Sequence, residues 1–143
     1  MCSSDLYRYR REGAVDFLGD LEREAKEAYQ KPGEALLVAG RILIEFYREV
    51  QRDGATPVVI IFGTKPDIED RARKEPKTYQ PLLDWLAREG VKYIDVTDDL
   101  AQQAARNGIR SVISNHYRPL GNELVARNLE RALPKLIAPT CQG

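Results

Sequence analysis

The chain has 143 residues, enough for one domain, and its 43% hydrophobic and 31% charged residues are ordinary for a globular protein. Lys plus Arg and Asp plus Glu number 22 each, so no global field argues for nucleic acid or an anionic membrane, and clusters such as Arg8-Tyr9-Arg10-Arg11 read as solvated surface. No run reaches the ~18 apolar residues of a membrane span, and two isolated cysteines near opposite ends, Cys2 and Cys141, do not make a disulfide framework or a metal site.

Residues 1–6 have the composition that the end of a sequencing adapter encodes when GTG initiates. This segment is expected to be a scar, with the gene's own start upstream. Residues 7–31 are charged, with a weak apolar stripe over 14–29, and Pro32-Gly33 breaks the chain. Residues 1–33 are therefore taken as a poorly defined N-terminal segment, 34–137 as the domain and 138–143 as a tail. From Glu34 to Asp53 the residues Leu36, Leu43, Phe46, Tyr47 and Val50 recur at helical spacing, and Gly54 is the expected C-cap. Residues 58–62, Val-Val-Ile-Ile-Phe, form a short β-branched run expected to be a strand buried on both faces.

Residues 63–75 read as a charged loop with one helical turn around 67–71, its carboxylates Asp67, Glu69 and Asp70 solvated. A helix over 79–89 turns Leu82, Leu83 and Leu86 inward and stops at Gly90. Residues 91–96 are a second strand. Asp95 at its end is read as structural, capping the next helix, although strand ends also gather active-site groups. Thr97 is the expected N-cap of a helix that ends at Asn107-Gly108. A loop over 109–118 leads to a last helix that opens at Pro119 and stops near Pro134.

This alternation predicts an α/β layer structure with parallel strands. Two strands are too few for the centre of an open sheet, so the chain is expected to lack an N-terminal half, or to complete the sheet as a dimer. Gly63-Thr64-Lys65 follows a strand end and is a weak pocket candidate through Thr64 and Lys65, without the glycine spacing of a phosphate loop.

His116 is the only histidine and lies in Ser114-Asn115-His116-Tyr117-Arg118-Pro119-Leu120-Gly121-Asn122. A lone loop histidine is more often a surface or packing residue, yet imidazole is the side chain best suited to move a proton near neutral pH. The segment resembles the last block of the SGNH (GDSL-like) ester hydrolases: a catalytic His, a turn, a Gly, then an amphipathic helix. Residues 58–65 and 93–100 are similar to the family's preceding strand units. The resemblance implies a partial flavodoxin-like, three-layer parallel sheet whose N-terminal strands are missing. It makes His116 the general base, with Asn115 and Tyr117 as weaker pocket candidates. It implies an acyl ester or acylated carbohydrate as substrate of the whole enzyme, and no cofactor, metal or nucleic acid. Three departures stand out. No Gly-Asp-Ser block occurs, the oxyanion-hole Gly and Asn blocks are not recognisable, and Ile113 occupies the position three before the histidine where the family often has Asp. The chain alone is then expected to be inactive. The rival expectation is a non-catalytic α/β module that dimerises or binds a protein partner through an exposed strand edge.

Overall fold

The structure is a computed structural model that describes residues 34–137. The readings of residues 1–33 and 138–143 lie outside the described residues. Helix α1 (Glu34–Arg52) is followed by strand β1 (Val59–Ile61), α2 (Lys65–Ala72), α3 (Gln80–Arg88), β2 (Tyr93–Asp95), α4 (Thr97–Asn107), a 3₁₀ turn (Ile109–Ser111) and α5 (Pro119–Ile137). The strands are parallel, with Val59 opposite Tyr93 and Ile61 opposite Asp95.

Strand alternation sends side chains to two cores. Val59, Tyr93 and Val91 pack with Leu36, Ile44 and Tyr47 of α1 and with Leu82 and Leu86 of α3. Val58, Ile94 and Val96 pack with Ile68 of α2, Leu100 and Ala104 of α4, Val112, and the apolar stripe of α5. Burying one side chain of Leu or Ile size contributes about 1.5–3 kcal/mol, so these two clusters are what set the helices around the strand pair. Gly40 lets α1 approach α3, because a Cβ there would enter the ring of Trp85. Gly54 and Gly108 end α1 and α4 at φ +80° and +81°, a region that disfavours side chains.

The expected three-layer flavodoxin-like sheet is not what the described residues form. Five helices make up most of the described body, 66% with the 3₁₀ turn, and the sheet has two strands. Among the described residues, 58–62 and 91–96 combine shortness with β-branched content, and most of the other apolar positions recur every three or four residues and lie in helices. The stretch read as a charged loop is itself helical. Thr64 and Asp67 close a capping box: the Thr64 amide donates to Asp67 Oδ2 at 2.9 Å, and the Asp67 amide donates to Thr64 Oγ1 at 3.5 Å. Pro66 sits in the first turn, where its missing N–H costs nothing.

Three local expectations also need correction. β1 is not buried on both faces: Ile60 is 36% and Phe62 51% exposed, because among the described residues β2 is its one strand partner. Phe46, placed on the inward stripe of α1, is 62% exposed, one residue off the buried face that Tyr47 occupies. α5 continues through Pro134 to Ile137. A proline this close to the end removes one helical hydrogen bond, and Lys92 Nζ donates to the Leu136 carbonyl at 2.5 Å, satisfying one of the terminal acceptors.

Candidate functional site around the histidine turn

In parallel α/β arrangements the C-terminal ends of strands are where ligands bind. Here two constructions meet at that edge.

The first is a polar corner beyond β2. The Asp95 carboxylate accepts hydrogen bonds from Lys77 Nζ at 2.8 Å, the Thr97 amide at 2.9 Å and Tyr79 Oη at 3.2 Å. Lys77 also donates to Asp98 at 2.7 Å, and Arg71 Nε donates to Asp98 at 2.6 Å. Thr97 was expected to cap α4 through its own hydroxyl. Instead Asp95 takes the Thr97 amide, and the Thr97 hydroxyl pairs with Tyr79 Oη at 2.5 Å in a fully buried position. Burial opposes the Lys77 charge, but hydrogen bonds to Asp95 and Asp98 outweigh it and raise the ammonium above its ordinary range. Burial likewise opposes the Asp98 charge, and the bonds from Lys77 and Arg71 hold its carboxyl below the usual range. Burial pushes the Tyr79 phenol far up, so it stays a hydroxyl. No buried polar side-chain atom here lacks a partner, and the corner is a structural lock.

The second construction is the histidine turn. An antiparallel bridge joins Ile113 to Tyr117, the Ser114 amide donates to the His116 carbonyl at 3.0 Å, and the Arg118 amide donates to the Val112 carbonyl at 2.8 Å. Ser114, Asn115 and His116 are exposed at its tip. Gly121, in the first turns of α5, lies against the Val112 carbonyl oxygen, and a Cβ there would overlap it. This is the physical reason for the glycine five residues after the histidine: α5 must approach the turn backbone directly.

Tyr117 joins the two constructions. Its hydroxyl donates to the Gly63 carbonyl at 2.7 Å, just past the end of β1, and its ring lies 6.1 Å from that of Phe62. Burial raises the Tyr117 phenol to about 12, so it remains a donor at neutral pH. Gly63 is itself held close: a Cβ there would lie 2.6 Å from Thr97 Oγ1.

The predicted site residues are thus only partly gathered. His116, Asn115 and Tyr117 share the turn, and the Tyr117–Gly63 bond brings the turn to within one residue of Thr64. The Thr64 side chain is occupied in the capping box, and Lys65 Nζ faces Glu69 along α2 at 3.8 Å. Among the described residues none hydrogen-bonds the side chain of Asn115 or His116. Ile113 is 7% exposed and packed in the larger core, so the position three before the histidine offers it no carboxylate. The sequence reading missed Lys77 and Tyr79. Their partners lie 16 to 21 residues away, and the readable signal was Asp95-x-Thr97, an Asp two residues before a helical amide. Asp67, read as solvated, is a helix cap.

Among the described residues, no three His, Cys, Asp or Glu side chains converge as a metal would require, and no helix is long and apolar enough to cross a membrane. A surface hollow between α1 and α3, lined by Arg41, Ile44, Glu45, Arg48, Trp85 and Glu89, includes no residue of the histidine turn. No family model, curated protein or solved structure matches the chain.

Proposed function

We propose that His116 is the general base of a serine-type ester hydrolase site, to which this chain contributes the histidine turn while a further polypeptide segment contributes the nucleophile and oxyanion donors. The observation that carries this reading is the 2.7 Å bond from Tyr117 Oη to the Gly63 carbonyl, which holds the residue next to His116 at the C-terminal end of a parallel strand. The exposed imidazole is open to a hydroxyl approaching from outside this body. In such a site the serine hydroxyl attacks the ester carbonyl as His116 takes its proton. The imidazolium then returns a proton to the departing alcohol, and water repeats the sequence on the acyl-enzyme. The substrate class is an acyl ester, including an acylated carbohydrate, and the chemistry requires no cofactor. No Gly-Asp-Ser block occurs in the 143 residues, so the chain by itself is expected to hydrolyse nothing.

The test is expression of the chain alone and joined to whatever is encoded upstream, each assayed with p-nitrophenyl acetate and a fluorophosphonate probe. Activity is expected only in the longer protein, where His116→Ala lowers turnover on the order of 10⁴-fold. Near-normal turnover in His116→Ala would overturn the assignment.

A second reading has its own support: a non-catalytic module that takes a partner along β1. The Val59 amide and the Ile61 carbonyl both engage β2, so the main-chain groups of Ile60 between them point to the opposite edge, where no described strand lies. Ile60 and Phe62 there, and Leu37, Val38, Ile42 and Phe46 on α1, are exposed. A stable, folded dimer with no dependence on His116 would favour this reading over the first.

A further inference from the structure

We propose that Tyr117 is the positioning residue of the His116 site, fixing the imidazole-bearing turn to the end of β1 in the role an orienting carboxylate would otherwise fill; this rests on the general-base reading above. A general base must hold its ring within hydrogen-bond reach of the proton it abstracts, and a misplacement of about 1 Å can cost on the order of 100-fold in rate. Histidine bases are commonly oriented by a carboxylate on the second ring nitrogen. No such carboxylate bonds His116 among the described residues, and Ile113 is turned into the core. Orientation then has to come from the backbone. The turn is short, with three residues between the bridged Ile113 and Tyr117, so fixing Tyr117 fixes the peptide that carries His116.

Tyr117 is held at both ends. Its ring packs against the larger core and beside Phe62, and its hydroxyl reaches the Gly63 carbonyl across 54 positions of sequence. The anchor is itself rigid. Gly63 lies against Thr97, which is fully buried, and Thr97 is bonded through its hydroxyl to Tyr79 and through its amide to Asp95. A line of contacts therefore runs from the buried corner of α4 through Gly63 and Tyr117 to His116. Removing the Tyr117 hydroxyl breaks this line at one bond and leaves the ring packing in place.

The experiment is NMR on the full 143-residue chain, where the only histidine gives one assignable imidazole. Wild-type His116 is expected to have an ordered amide, with S² about 0.85, and Tyr117→Phe is expected to drop it below about 0.6 while α4 and α5 keep their chemical shifts. In the longer, active protein the same variant is expected to lower kcat about 100-fold with KM unchanged. An S² at His116 that is the same in both proteins would overturn the proposal. If Tyr117→Phe does not fold, NMR of the wild type decides: NOEs between the Tyr117 ring and the Gly63 Hα protons support the anchor, and their absence overturns it. Neither NMR measurement depends on ester hydrolysis. Failure of the general-base reading, seen as full turnover in His116→Ala, is therefore separable from failure of the anchor.

Discussion

The two constructions at the strand ends are built in opposite ways. The corner around Asp95 is held by paired charges: the Lys77 and Asp95 side chains are 11% and 8% exposed, and Asp98 and Arg71 close it at the surface. The histidine turn is exposed at its tip and is held at its base by backbone bonds, by Ile113 and the Tyr117 ring in the larger core, and by the Tyr117 hydroxyl. Buried paired charges cost desolvation and are harmful to break, so the corner carries stability and geometry. An exposed side chain contributes little to stability and remains free to meet a reactant. The chemistry proposed at this edge therefore falls to the exposed tip of the turn, with the ionic corner behind it as support.

The largest effect should come from breaking the corner. Asp95→Asn removes the more buried of the two anionic partners of Lys77 and is expected to cost about 3 kcal/mol, lowering Tm by roughly 10–20 °C for a body of this size. His116→Ala is expected to stay within about 0.5 kcal/mol of wild type. Thermal melts of the two variants side by side test the contrast, and equal losses would dissolve it.

Next comes the junction of α5 with the turn. Gly121→Ala places a methyl against the Val112 carbonyl, and overpacking of this kind costs about 1–3 kcal/mol. Urea denaturation measures it. A neutral result would mean that α5 can move off the turn without penalty, which would weaken the case for a rigid histidine.

The corner should also be visible in pH dependence. Asp98 has a folded pKa below its unfolded value, so its contribution is present above about pH 4 and is lost as pH falls through the folded value. Lys77 is raised, so its contribution is complete below about pH 10 and is lost as pH rises through the folded value; the raised Tyr79 phenol acts in the same direction. Calorimetry from pH 2 to 11 should show a plateau with losses at both ends, and Asp98→Asn should flatten the acid limb and, because Asp98 helps to raise Lys77, soften the alkaline one. Because Asp98 is half exposed, that flattening is expected to be small.

The smallest expected change is a gain. Lys74 has φ +68° at the end of α2, where the Glu75 amide bonds the Asp70 carbonyl and the Lys74 amide bonds the Arg71 carbonyl. This is the left-handed helix stop that glycine favours. Lys74→Gly should relieve about 1 kcal/mol of backbone strain, partly offset by glycine's greater freedom when unfolded, for a net gain near 0.5 kcal/mol. A lower Tm would show that Lys74 makes a compensating contact.

Much of the element order could be read in the residues. The helices beginning near Glu34 and Gln80 follow from three- and four-residue apolar spacing with glycine stops, that at Thr97 from its Asn107-Gly108 stop and that at Pro119 from its apolar stripe, and β1 and β2 fall within the two β-branched runs. α2 was hidden because its stripe is thin. Ile68 is its one fully buried apolar side chain, and the Thr64–Asp67 box, a short-range signal, is what marked its start. Local spacing also could not show that Phe46 and Ile60 stay uncovered, since that depends on what packs against α1 and β1.

What the sequence by itself determined is therefore local: periodicities, caps, stops, a single histidine in a short polar turn, and the absence of a Gly-Asp-Ser block. These depend on neighbours within about five residues, whose geometry the backbone repeats set. The tertiary structure alone decided that Lys77, Tyr79, Asp95 and Thr97 form one buried network, and that Tyr117 reaches Gly63. It also decided that, among the described residues, five helices accompany two strands. Such contacts join residues 16 to 54 positions apart. No local preference encodes them; they form because burying the two apolar clusters brings those polar groups together, and each must then find a partner or bear the cost of desolvation.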